Sequence, residues 1–174
     1  MRYAHECGKI RALGVSNYSV QQMEEFRAVE PLHASQPPLN LFERAAQRDV
    51  VPYCRKHDIA VLVWSALCRS LLTGKIRPDH TFPADDIRFA GPKFQPPRPA
   101  ELWQACSAFG IALARSAGSF CGAVGCKRPA QMLPVEEIFG WKMTAEDMLA
   151  VDCIVRDYVQ DPVGPEYLEP TLRE

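Results

Sequence analysis

The chain has 174 residues, 47% hydrophobic and 24% charged, the balance of a folded globular protein and not of a disordered one. That length is one ordinary domain and suffices to bury a sizeable core. A net charge of −1 leaves no basic footprint, so neither nucleic acid nor an anionic membrane surface is expected as a partner.

No apolar run approaches the ~20 residues of a membrane-spanning helix. The start, Met1-Arg2-Tyr3-Ala4-His5-Glu6-Cys7, lacks the apolar centre of a signal peptide. A cytoplasmic location is therefore the default expectation. The cysteines (7, 54, 68, 106, 121, 126 and 153) are odd in number and scattered, with no Cys-x-x-Cys. Cys121 and Cys126 are the one close pair, and no second pair accompanies them. That pattern predicts reduced, mostly buried thiols and no metal site.

Strands and helices alternate along the chain. Residues 2–8 read as a helix end closed by Gly8, where glycine supplies a left-handed cap. A strand is predicted over 10–15. Ser19 then precedes Val20, Gln22, Met23, Phe26 and Val29 at helical spacing and is a suitable N-cap. A strand near 33–36 ends in Pro37-Pro38, and a helix is predicted over 43–57, with Val50, Val51, Tyr53 and Cys54 buried. Its last turn carries Arg55-Lys56-His57, where cations suit the helix dipole. Residues 59–64, Ile-Ala-Val-Leu-Val-Trp, are continuously apolar, the mark of a parallel strand covered on both faces.

Residues 76–99 are proline-rich and charged and read as a long binding loop. A helix is expected from Glu101 to about Ser116, and a short last strand at 121–125. Two further helices follow, Pro129–Ile138 and Ala145–Val159, the latter capped by Thr144 with Asp147 three residues on. The tail over 161–174 is expected to be extended.

The strand ends carry the chemistry. Ser16, Asn17 and Gln36 offer donors and acceptors together, as a carboxamide requires. Polar residues also simply begin loops, and both readings stand. Trp64 ends the third strand on the same rim, where its ring suits stacking on a heteroaromatic ligand or sealing the core edge. The small-residue turn Ser65-Ala66-Leu67-Cys68-Arg69, running on to Lys75, exposes backbone N–H groups suited to a pyrophosphate. Gly125-Cys126-Lys127-Arg128-Pro129-Ala130-Gln131 leads into a helix with proline in its first turn, a capped helix or an anion site.

Four stretches, in order, resemble the C-terminal half of an aldo-keto reductase: Gly8–Tyr18, Gln36–Arg44, Trp64–Lys75 and Gly125–Gln131. The segments Asp85–Arg88, Pro92–Arg98 and Asp161–Glu166 further resemble the bacterial general-stress type. The resemblance implies an α/β fold, a partial (β/α)8 TIM barrel of about the last four βα units, forming one truncated domain over 1–174. It implies NADP(H) as cofactor and, for the full-length family, a small carbonyl or alcohol as substrate.

By the same resemblance, Ser16, Asn17 and Gln36 hold the nicotinamide carboxamide and Trp64 stacks under the ring. Ser65, Ala66, Leu67, Cys68 and Arg69 wrap the pyrophosphate, with Lys75 and Arg88 as cations over it. Gly125, Lys127 and Gln131 hold the adenosine end, and Lys127 with Arg128 favours the 2′-phosphate of NADPH.

The family's catalytic Asp, Tyr, Lys and His lie on the first four strands, which have no counterpart here, so no catalytic residue is assigned. Leu39 stands where Tyr is common and Ser70 where Gly is common. Between Pro99 and Val124 one helix's worth of sequence is missing. The expectation is a nucleotide-binding oxidoreductase fragment without turnover of its own. The alternatives are activity on complementation by a separate N-terminal half, and a nucleotide-binding interaction module. Open barrel edges predict self-association.

Overall fold

The computed structural model describes residues 2–109, 121–122 and 144–160. Its contacts divide them into two compact units, one of residues 2–66 with 121–122 and one of 67–109 with 144–160.

The first unit opens with α1 (Arg2–Glu6), closed by Gly8 at φ +68 as the sequence predicts. Strand β1 (Gly14–Ser16) starts later than the expected residue 10. The cause is local: the Lys9 and Ile10 N–H groups both donate to the Ala4 carbonyl and so close α1 instead of entering a ladder. Helix α2 (Val20–Arg27) begins at Ser19 with a full capping box, the Ser19 hydroxyl accepting from Gln22 N–H and the Gln22 side chain accepting from Ser19 N–H. The helix stops before Val29, which the helical spacing includes and which is left 63% exposed.

Strand β2 (Ala34–Gln36) leads to α3 (Val50–Lys56), preceded by a short 3-10 turn at Ala45–Gln47. The predicted helix over 43–57 is thus half that length. Pro52 has no N–H to give and is tolerated only in a helix's first turn, which forces the start to Asp49. Asp49 caps that start, its carboxylate accepting from Val50 N–H at 2.6 Å. Strands β3 (Ala60–Val63) and β4 (Cys121–Gly122) complete a four-stranded sheet, all parallel, in the order β1-β2-β3-β4.

Register explains the two faces of this sheet. Val15, Ser35 and Val61 are partners and face α2 and α3, where Met23, Val50, Tyr53, Cys54 and Ile59 make the core. Gly14, Ala34 and Ala60 are partners on the opposite face, followed there by Ser16 and Gln36. Leu62 is 40% exposed and Ala60 is exposed, so β3 is not covered on both faces as its apolar run suggests. Both described helices that pack on it lie on one side.

In the second unit, Cys68–Thr73 form a 3-10 turn ending at left-handed Gly74. Helix α4 (Arg98–Phe109) buries Leu102, Ala105, Cys106 and Phe109 and packs on α5 (Ala145–Tyr158). Thr144 and Asp147 form the capping box expected for α5. The segment 76–99 is mostly irregular, with one 3-10 turn at Pro92–Phe94. Its Lys93 is 6% exposed, and burial pushes the ammonium down to about 8. The helix at 129–138, the rest of the helix beyond Phe109, the strand beyond Gly122 and the tail at 161–174 lie outside the described residues.

Candidate functional site

The C-terminal ends of β1, β2 and β3 form one rim of the first unit, and Ser16, Asn17, Gln36 and Trp64 stand on it. Ser16 Oγ donates to the Gln36 carbonyl at 3.1 Å, and Asn17 N–H donates to the same oxygen at 3.3 Å. Asn17 sits at φ +59, a left-handed conformation that asparagine tolerates better than most residues. Trp64 Nε1–H donates to Asn17 Oδ1 at 3.0 Å.

That last bond fixes a direction. An indole N–H only donates, so Asn17 must present its oxygen to Trp64 and turn its NH₂ away. The rim therefore offers amide N–H donors from Asn17, both functions of the Gln36 amide, and the lone pairs of Ser16 Oγ. A primary carboxamide presents one acceptor oxygen and two N–H donors, and this set fits it.

Two residues beneath the rim carry no role in the sequence reading. Asn40 and Glu43 are buried, at 8% and 4% exposure. Asn40 Oδ1 accepts from the N–H groups of Phe42 and Glu43 at 2.9 and 3.0 Å. Its Nδ2 donates to the Glu43 carboxylate and, at 3.1 Å, to the Ser65 carbonyl. The signal in sequence is an Asn-x-x-Glu turn directly after a strand end, which reads equally as an ordinary Asx turn. Beside them lies a cleft of about 220 Å³, walled by Pro37, Pro38 and Val50 and reached by Asn17, Glu43 and Asp49.

In the second unit, Leu67 at φ −97, ψ 11 is followed by left-handed Cys68 (φ +47), Arg69 (φ +52) and Ser70 (φ +76). A right-handed residue followed by a left-handed one is the backbone order of an anion-binding nest. Burial pushes the Cys68 thiol up to about 12, so this residue has only its backbone to offer an anion. Arg69 is half-buried and Lys75 exposed. Arg88 is engaged twice by Asp86, through Nε at 2.8 Å and Nη2 at 2.6 Å, and stacks over Phe82 at 4.4 Å. The carboxylate holds that guanidinium firmly protonated.

Ser65 and Ala66 close the first unit, half-buried, with Ser65 at φ +59. Gly125, Lys127, Arg128 and Gln131 lie outside the described residues. Among the described residues no group of three or more His, Cys, Asp or Glu is placed to hold a metal ion. No described helix is long and apolar enough to cross a membrane.

An α/β unit with a parallel sheet and a polar rim at its strand ends defines a ligand-binding class, and comparison with known proteins narrows it. The profile of the Aldo/keto reductase family matches residues 1–114. The aldo-keto reductase YhdN of Bacillus subtilis is 40% identical over 190 residues, covering all of this chain and 57% of that protein. Two shorter matches are the NADH-specific methylglyoxal reductase of Escherichia coli and the aldo-keto reductase yakc [NADP(+)] of Schizosaccharomyces pombe. They are 36% and 32% identical over 73 and 93 residues, 42% and 52% of this chain and 22% and 27% of those proteins. Among solved structures, the glycerol dehydrogenase AKR11B4 of Gluconobacter oxydans superposes with a TM-score of 0.84 at 41% identity. That match covers 99% of this chain and 55% of the other.

The chain belongs to the aldo/keto reductase family, and to its bacterial type. It spans a little over half the length of the relatives it matches over its whole extent.

Proposed function

We propose that this chain is the NADP(H)-holding part of an oxidoreductase that interconverts small carbonyls and alcohols. The observation that carries the reading is the Trp64–Asn17 hydrogen bond, which aims the Asn17 NH₂ out of the rim. Asn17 donates to the carboxamide oxygen, while Gln36 and Ser16 receive its N–H groups. Trp64, pinned by its own N–H, supplies a flat apolar surface for the ring. Ser65 and Ala66 begin the pyrophosphate turn, and right-handed Leu67 followed by left-handed Cys68 and Arg69 supports it with backbone donors. Lys75 and Arg88 are the accompanying cations. Arg88 reaches an anion only by sharing itself with Asp86, because both of its bonded nitrogens already face that carboxylate.

Bound NADP(H) would supply the hydride, and the chain's own residues orient the end from which it leaves. Gly125, Lys127 and Gln131 are assigned the adenosine end by resemblance, with Lys127 and Arg128 selecting the 2′-phosphate. No residue is assigned as acid for the developing alkoxide, so this chain by itself is expected to bind without turning over. The four strands are read as the last four βα units of a (β/α)8 barrel, whose ligands bind at the strands' C-terminal rim.

The relatives include one named for NADH and one named for NADP(+), so cofactor choice is the sharpest test. Calorimetric titration of the full chain should show tighter binding of NADPH than of NADH, a preference removed in Lys127→Ala/Arg128→Ala. Equal affinities in the native chain, or an unchanged preference in the double variant, contradict the phosphate assignment.

A further inference from the structure

We infer that Asn40 and Glu43 act as a positioning pair for the rim, holding the Ser65 peptide so that the Trp64 indole stays on Asn17. The nicotinamide reading gives this its functional meaning, but the positioning itself is a property of the first unit alone.

Asn40 uses its whole hydrogen-bonding capacity. Two backbone N–H groups fill its oxygen, and a carboxylate and a carbonyl fill its NH₂. Every partner is one-sided, donors against Oδ1 and acceptors against Nδ2. Turning the amide over would set oxygen against the Glu43 carboxylate and the Ser65 carbonyl, and NH₂ against two N–H groups. Glu43, at 4% exposure, thus locks the orientation, because turning the amide would set two acceptor oxygens in contact with no hydrogen between them.

What Asn40 holds is a constrained peptide. Ser65 is left-handed at φ +59, a conformation that a side chain other than glycine resists unless its surroundings enforce it. Just before it, Trp64 N–H donates to the Pro37 carbonyl at 3.1 Å and Leu39 N–H donates to the Trp64 carbonyl at 3.3 Å. Both bonds come from the segment that carries Asn40. The backbone around Trp64 is therefore tied to residues 37–40 at three points, and the third, at Ser65, depends on one side chain. Without it the Ser65 peptide is free to rotate and takes the Trp64 indole off Asn17. The linkage runs from the Glu43 carboxylate through the Asn40 amide, the Ser65 carbonyl and the Trp64 indole to the Asn17 amide.

Asn40→Asp tests this without removing volume. It places a second carboxylate against Glu43 and the Ser65 carbonyl, with Asp49 lining the same cleft. Two carboxylates in contact share a proton as pH falls, but that proton lies between them, so the Ser65 carbonyl has no donor at either pH. Asn40→Ser is the companion variant, since a serine hydroxyl still accepts from the turn N–H groups but is too short to serve Ser65 as well.

The readout is the indole N–H resonance of Trp64 in the full chain, assigned with Trp64→Phe. The expected result is a resonance displaced from its native position in Asn40→Asp both near pH 8 and near pH 5. Asn40→Ser should be displaced at both. NADPH affinity should follow, about tenfold weaker for Asn40→Asp at both pH values. A native resonance in Asn40→Ser, or in Asn40→Asp at either pH, overturns the positioning role. Failure of the native chain to bind NADPH contradicts the nicotinamide reading alone, while the resonance still decides the positioning.

Discussion

Trp64 matters to Asn17 through a single N–H, and that makes its role separable from its ring. Phenylalanine keeps an aromatic face but cannot donate, so in Trp64→Phe the Asn17 amide is free to turn over. The expected result is a three- to tenfold loss of NADPH affinity, about the worth of one hydrogen bond, read by calorimetry. Unchanged affinity would mean the Asn17 orientation is fixed by something other than the indole. Ser70 offers a test of strain. It stands at φ +76, ψ 2, where the family commonly has glycine, and a Cβ there costs about 1–2 kcal/mol. Ser70→Gly should raise stability by about 0.5–1 kcal/mol in a thermal melt, the gain being reduced by the greater freedom of glycine in the unfolded chain. Lys93 predicts a pH dependence of definite sign. Its folded value near 8 lies below the ordinary 10.5, so between those values the unfolded chain binds more protons. Unfolding free energy should therefore rise as pH increases from about 8 to 10.5, by on the order of 1–3 kcal/mol, and Lys93→Met should abolish that rise. Denaturant titrations at the two ends of that range check it.

The elements show why some of the fold is legible in sequence. Capping is local, so Ser19 with Gln22 and Thr144 with Asp147 announce the starts of α2 and α5 within a residue. Ser19→Ala should cost about 1 kcal/mol in chemical denaturation, and a loss near zero would mean the cap adds nothing to packing. The approximate positions of β1, β2 and β3 are readable from apolar runs ending in Ser-Asn, Gln and Trp, while the order β1-β2-β3-β4 agrees with the consecutive βα units that the family resemblance implies. What a sequence conceals is competition for backbone groups, near and far along the chain. The Ala4 carbonyl takes the Lys9 and Ile10 amides from β1, and His33 Nδ1 accepts the Leu13 N–H at 3.1 Å just below the ladder. The uncovered side of β3 was illegible for another reason. An apolar run has no alternation by which Val61 and Val63, toward the helices, can be told from Ala60 and Leu62. The Asn40–Glu43 pair was invisible because its partner Ser65 lies 25 residues away.

At the scale of the whole molecule, the family match ends at Ala114, and the Bacillus protein aligns over 190 residues against 174 here. In the described sheet β1 pairs only with β2, and the face bearing Gly14, Ala34 and Ala60 carries no described helix. A free strand edge is a template for another strand. Purified chain should therefore self-associate, and light scattering after size exclusion should give a mass above that of one 19.5 kDa chain. A clean monomer would show the edge to be protected. The central claim is that the rim of Ser16, Asn17, Gln36 and Trp64 holds a nicotinamide, and one comparison reaches it directly. NADPH and 2′-phospho-ADP-ribose differ in the presence of the nicotinamide base, so their affinities for the same full chain isolate this rim. The predicted result is about tenfold tighter binding of NADPH by the native chain, and no difference between the two ligands in Asn17→Ala. Equal affinity of the native chain for both ligands would contradict it.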